Sequence, residues 1–263
     1  MDKVLLSKTQ ANLNKLKISF VFMLYLIGLG LNVDGISKYG LEIVKRCKRI
    51  YLENYTVEFP YSEGELRDFI EKKIIPADRE FVESLGIVDE AKKMDVALLV
   101  YGSPLTATTH ISLIQEAKRL GVRYKVIYNA SIFDAVAETG LQLYKFGKIA
   151  SMPKWNKKKN FTPDSFMKIV QENQSMKAHS LILIDIGLEF QDALEELKIS
   201  SKKQKITLKK IVVCQALGTK NRKIFYGDIE ELNEFKNIKS PYCIIVPSKL
   251  HFIEKEVLEE FKK

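Results

Sequence analysis

Cysteine is scarce in this chain, and none of it is paired. Cys47, Cys214 and Cys243 form no C-x-x-C motif, and each sits among apolar neighbours. A disulfide framework and a thiolate zinc site are thereby excluded at the sequence level, and reduced core thiols in a cytoplasmic protein are expected. Histidine is equally sparse. His110, His179 and His251 lie far apart, with no H-x-x-x-H or H-E-x-x-H, so no metal site is expected. There is no G-x-S-x-G, which removes the nucleophile elbow of the α/β hydrolases. Long apolar runs are also missing. The strongest, ISFVFMLYLIGLGL at 18–31, is too short for a comfortable membrane span and lacks an A-x-A cleavage pattern after it. No membrane partner is expected.

The chain does have ample apolar residues, 46% of 263, enough for one large or two smaller cores. Lys and Arg exceed Asp and Glu by 42 to 33, a net charge of +9 spread along the chain. Such charge favours acidic partners in general. Without an RNA-reading aromatic motif or a zinc pattern, it gives no ground for direct nucleic-acid binding.

Period and punctuation predict an α/β protein. MLYLIGLGL reads as a buried parallel strand from Met23, and ISKYGLEIVKRC follows with helical spacing. Ile36, Ile43, Val44 and Cys47 share one face of that helix. DVALLVYG, ISLIQEAKRLG and YKVIYN continue as strand, helix and strand, with Gly121 closing the helix. This order predicts a mostly parallel sheet over 23–128. Residues 129–263 read as a second α/β unit with some antiparallel pairing, and residues 1–22 as an extension with Met23 a candidate start. In the second unit LYKFGKIASM is expected to be a strand. Thr162-Pro163-Asp164 is expected to start the helix SFMKIVQEN, with Thr162 as the cap. The lysine-rich stretch 198–210 is expected to be a loop.

Three strand ends could carry chemistry. GLGLNVDG at 28–35 imitates a dinucleotide loop, but the third glycine of that fingerprint would fall at Val33. What survives is a tight turn at the carboxyl end of a strand, where open α/β sheets place ligands. In YGSPLTATTH the strand stops at Gly102 and Pro104, and Thr108 or Thr109 can cap the next helix. NASIFD places Ser131 and Asp134 at capping-box spacing. From the residues alone, these are turns and caps that could surround one ligand.

Taken in order, MLYLIGLGL, GSPLTATTH, VIYNASIFDAV, GLQLYKFG and VPSKLH resemble the diphthine synthases, methyltransferases of the tetrapyrrole-methylase fold group. The spellings YLENYT, ADRE, NASI and GLQLYKFG are similar to the eukaryotic members. The resemblance implies two α/β domains, S-adenosylmethionine bound in the cleft between them, and a homodimer. It further implies translation elongation factor 2 as the protein substrate, on a histidine bearing a 3-amino-3-carboxypropyl arm. In the eukaryotic version, methyl groups go to the amine of that arm and then to its carboxylate.

By motif, the same resemblance assigns donor contacts to Leu31, Ser103, Thr106, Ser131, Ile132, Ile184, Leu217 and Tyr242. It places Thr108, Thr109 and His110 near the methyl-transfer cleft, and names no proton acceptor. The region between Asp185 and Thr207 is shorter than in most eukaryotic relatives, and three sites depart from the family pattern: Ser103 where the family has Asp, Gln215-Ala216 where it has Ala-Arg, and Tyr242 where His is common. They motivate a second reading, a relative that binds donor or elongation factor without efficient turnover. A tetrapyrrole methyltransferase is a third reading, disfavoured by ATTH and GLQLYKFG.

Overall fold

The computed structural model describes residues 22–262, so the expected extension lies almost wholly outside the described residues. The first sheet contains β1 (Met23–Gly28), β2 (Arg49–Glu53), β3 (Ile75–Ala77), β4 (Val96–Val100) and β5 (Arg123–Ile127). All are parallel, in the order β3-β2-β4-β1-β5. Parallel strands need crossovers, and the helices that make them cover both faces. On one face, α1 (Lys38–Arg46) and α2 (Glu63–Ile70) pack Ile43, Val44 and Leu66 on Ile27, Ala97 and Leu99. The other face carries α3 (Arg79–Glu83), α4 (Gly86–Ala91) and α5 (Ile111–Arg119), which pack Val82, Ile87 and Leu113 on Leu24, Leu26 and Leu98. Covered on both sides, β4 is buried at every position.

The chain then passes through α6 (Ile132–Ala135) into a second sheet. Its strands are β6 (Ala150–Met152), β7 (Ser180–Ile184), β8 (Ile211–Gln215), β9 (Lys223–Gly227) and β10 (Tyr242–Val246), in the order β6-β7-β10-β8-β9. Only β6 and β7 are parallel; the remaining pairs are antiparallel. On one face α7 (Ser165–Ser175), α8 (Phe190–Lys203) and α9 (Ile229–Asn233) bury Phe166, Phe190 and Leu232. The opposite face meets α10 (Phe252–Glu260) through Leu258, together with Val136 and Leu141. The two sheets, one parallel and one mixed, match the expected fold class.

Four local expectations need correction. LYKFGKIASM begins as a 3-10 turn at Leu143–Lys145 and is extended only over Ala150–Met152. Asp164, not Thr162, occupies the cap position of α7, and its carboxylate turns away to Lys203 and Gln204. The lysines at 198–203 belong to the last turns of α8, where cations suit the negative end of the helix dipole. The cap position of α5 is His110; neither threonine fills it.

Candidate functional site

Strands β1 and β4 end side by side. Gly30 and Gly102 exchange backbone hydrogen bonds at 3.1 and 2.9 Å, which joins the GLGL turn to the GSPLT turn. A Cβ on Gly28 would come within 2.6 Å of the Gly102 carbonyl, so this approach requires glycine. Asn129, just past β5, donates to the carbonyls of Gly28 and Gly35 at 3.0 and 2.9 Å and fixes both ends of the loop. Three strand ends are thus tied into one rim.

The second sheet closes over that rim. Gly218, at φ +78°, lies so near Leu31 that a Cβ would meet the leucine Cβ at 2.6 Å. Between the halves lies a cavity of about 220 Å³, at the small end for a ligand site. Leu31, Ser103, Thr106, Ser131, Ile132, Ile184, Leu217 and Tyr242 all line it, and so does Thr108. Thr109 and His110 do not: Thr109 faces solvent and His110 is buried behind the wall.

Local hydrogen bonding explains how each wall residue is held. Ser131 caps α6 by accepting the Phe133 amide at 3.2 Å, while Asp134 accepts from the Ser131 amide and hydroxyl, so the capping box and the cavity wall are one feature. Thr106 is set by its amide donating to the Ser103 carbonyl at 3.1 Å. The Tyr242 hydroxyl donates to the Leu188 carbonyl at 2.8 Å. Its pKa is raised, first by burial and then by the carboxylates of Glu189, Glu196, Asp192 and Glu58, so the phenol stays neutral.

Sequence reasoning missed several lining residues. Tyr101 crosses the floor, its hydroxyl donating to the Leu31 carbonyl at 3.2 Å, and burial raises its pKa. Thr56 and Val57 come from the loop after β2, organised by the fully buried Glu53, which accepts from the Tyr55 amide and the Thr56 hydroxyl. Local pairing of this kind, from Glu53 to the second and third residues after it, leaves no periodic signal, although an acid three residues before a hydroxyl was a usable cue. Cys214 and Cys243, directly opposed on β8 and β10, complete one side. A hydrogen bond to Cys243 and complete burial hold the Cys214 thiol well above its usual range.

Charge on the wall is sparse. Asp185 is the sole carboxylate among the lining residues, and none is Lys or Arg, although the chain carries +9. The cavity therefore suits a ligand whose polar end is cationic.

Residues 23–233 match the family described as Tetrapyrrole (Corrin/Porphyrin) Methylases. The chain is 36% identical to diphthine methyl ester synthase 2 of Candida albicans, over 91% of this chain and 89% of that protein. To diphthine methyl ester synthase of Bos taurus it is 47% identical over 178 residues, 66% of this chain and 61% of the bovine protein. A crystal structure of diphthine synthase superimposes with a TM-score of 0.83 at 32% identity, covering 91% of this chain and 96% of that one. The chain belongs to the tetrapyrrole methylase family, on its diphthine methyl ester synthase branch. This methylase is accordingly a methyltransferase, and among its described residues no helix is long and apolar enough to cross a membrane.

Proposed function

We propose that the methylase seats S-adenosylmethionine in the cavity between its sheets and methylates the modified histidine of translation elongation factor 2. Methyl groups go in turn to the amine of the 3-amino-3-carboxypropyl arm and then to its carboxylate. One observation carries this reading: eight residues, assigned by motif from six separate stretches of chain, converge on one cavity. The names of the relatives, diphthine methyl ester synthases at 36% and 47% identity, favour this substrate over a tetrapyrrole.

When bound, S-adenosylmethionine supplies a methyl group already activated by its sulfonium. The chain's own residues then have two tasks. Leu31, Ile132, Ile184 and Leu217 give the cavity apolar walls that exclude water, and the hydroxyls of Ser103, Thr106 and Ser131 offer polar contacts that orient a ligand. Asp185, whose carboxylate already accepts the Lys154 and Ile186 amides at 3.2 and 3.0 Å, retains lone pairs for a cationic group. The reading carries with it a cytoplasmic homodimer acting on a protein substrate.

Ser103 and Tyr242, both departures from the family pattern, stand in the wall itself, and this favours a second reading of binding without efficient turnover. The two are separated by incubating the protein with labelled S-adenosylmethionine and elongation factor 2 carrying the unmethylated arm, then counting methyl groups by mass spectrometry. Four additions are expected. Donor binding with no transfer would sink the catalytic reading in favour of the second.

A further inference from the structure

The GSPLTATTH loop carries five of the lining residues, Gly102, Ser103, Thr106, Ala107 and Thr108, yet it has little secondary structure of its own. Ala107 sits at φ +53°, in the left-handed region where a side chain strains the backbone. Such a conformation persists only where the surroundings enforce it. Behind the loop lies His110, 1% exposed and outside the cavity lining. Its Nδ1 is 3.0 Å from the Pro104 carbonyl. A carbonyl only accepts, so Nδ1 carries the hydrogen and donates. The His110 amide donates to the Thr108 hydroxyl at 3.0 Å, and that hydroxyl reaches the same Pro104 carbonyl at 3.4 Å. The loop is therefore closed on itself at its base. Among the described residues Nε2 meets no hydrogen-bond partner, and the one hydrogen bond of the ring there runs to the loop.

We propose that His110 is a positioning residue that holds the Ser103–Thr108 wall in its ligand-ready shape through the Nδ1–H to Pro104 hydrogen bond, without itself touching donor or substrate. The part of the proposal that concerns ligand readiness rests on the cavity being the donor site.

Three substitutions separate the two ring nitrogens. Asparagine carries its amide nitrogen as many bonds from Cα as Nδ1, glutamine as many as Nε2, and alanine carries neither. Amide hydrogen exchange is measured on the full chain without ligand, with β4 as internal reference for global folding. The segment 103–109 should exchange about tenfold faster in H110A and H110Q and stay near wild type in H110N, while β4 is unchanged in all. S-adenosylmethionine affinity, by titration calorimetry, should fall about tenfold in H110A and H110Q and recover in H110N, with the loss in donor KM exceeding that in kcat.

An H110A segment that exchanges like wild type, or an H110N segment that exchanges like H110A, would overturn the proposal. So would an H110N protein with wild-type donor affinity and abolished turnover, since that would make the ring a participant in the chemistry. Failure of wild-type protein to bind the donor would instead remove the donor-site reading, and the exchange measurement would still decide the clamp.

Discussion

Ser103 shows how far a single residue can be read. Alone in the sequence it marks the end of a strand; the resemblance marks it as a short, uncharged replacement for Asp; the structure puts it in the wall at 9% exposure. A carboxylate there would face a ligand through a charge-assisted hydrogen bond, about 1–2 kcal/mol stronger than a serine provides. S103D is therefore expected to tighten S-adenosylmethionine binding by about tenfold in calorimetry, and unchanged affinity would contradict this account of the departure.

The cysteines give a second test at the residue scale. Burial pushes the Cys47 thiol up to about 12, and the hydrogen bond with Cys243, together with burial, holds the Cys214 thiol high as well. Native protein should leave its thiols unlabelled by a disulfide reagent over minutes, with labelling on denaturation. Rapid native labelling would show that the wall at Cys214 and Cys243 is open to solvent.

At the scale of elements, the GLQLYKFG motif serves the terminal helix more directly than it serves the cavity. Glu254, fully buried in the first turn of α10, accepts from the Gln142 amide at 3.0 Å, the His251 amide at 2.6 Å and the Lys145 ammonium. His179 completes the cluster: its Nδ1 accepts the Ser248 amide, so Nε2 donates to Glu254 at 3.1 Å. Burial alone would raise the Glu254 pKa, but the amides, Lys145 and His179 outweigh it and hold the carboxyl at about 2. Burial keeps His179 below its usual range, neutral at pH 7.

The depressed carboxyl contributes stability that is full above its ordinary pKa of 4.5 and is lost as pH falls from there toward 2, on the order of 3 kcal/mol. E254Q should accordingly lower the urea midpoint at pH 7, and its deficit relative to wild type should shrink between pH 5 and pH 3. A deficit independent of pH would contradict the cluster's electrostatic role.

Elements with a strong local signal were legible: β1 and β4 as apolar runs, and α1 from its buried Ile43 and Val44, with the expected Ile36 and Cys47 buried just beyond its ends. The β2–α4 region and β9 were not. In β2 the apolar run is only Ile50–Leu52 between Arg49 and Glu53, and β9 alternates only weakly between exposed Lys223 and buried Tyr226, so tertiary pairing decides both. The caps of α5 and α7 failed for a related reason. Thr108 is occupied with the loop, and Asp164 is drawn to Lys203 and Gln204 from 40 residues away, a contact no local pattern announces.

Across the whole molecule, the site exists only where the halves meet. The parallel sheet supplies the rim, the mixed sheet supplies Ile184, Leu217 and Tyr242, and Glu58 crosses from the first half to accept the Gly187 amide at 2.9 Å. The bridging carboxylate is exposed, so its contribution is modest. E58A is expected to weaken donor binding two- to fivefold without changing the thermal midpoint by more than a few degrees, which calorimetry and thermal melts would check together.

Motif order allowed the contacts to be assigned, but their meeting point is a product of topology: strand ends 72 residues apart, at Gly30 and Gly102, must first be joined. The proposed methyl transfer requires above all that this cavity be the donor site. A crystal structure with S-adenosylhomocysteine, the product left after methyl transfer, tests this directly. The ligand should lie between the sheets against Leu31, Ser103, Ile132 and Leu217; density anywhere else on the molecule, with this cavity empty, would contradict it.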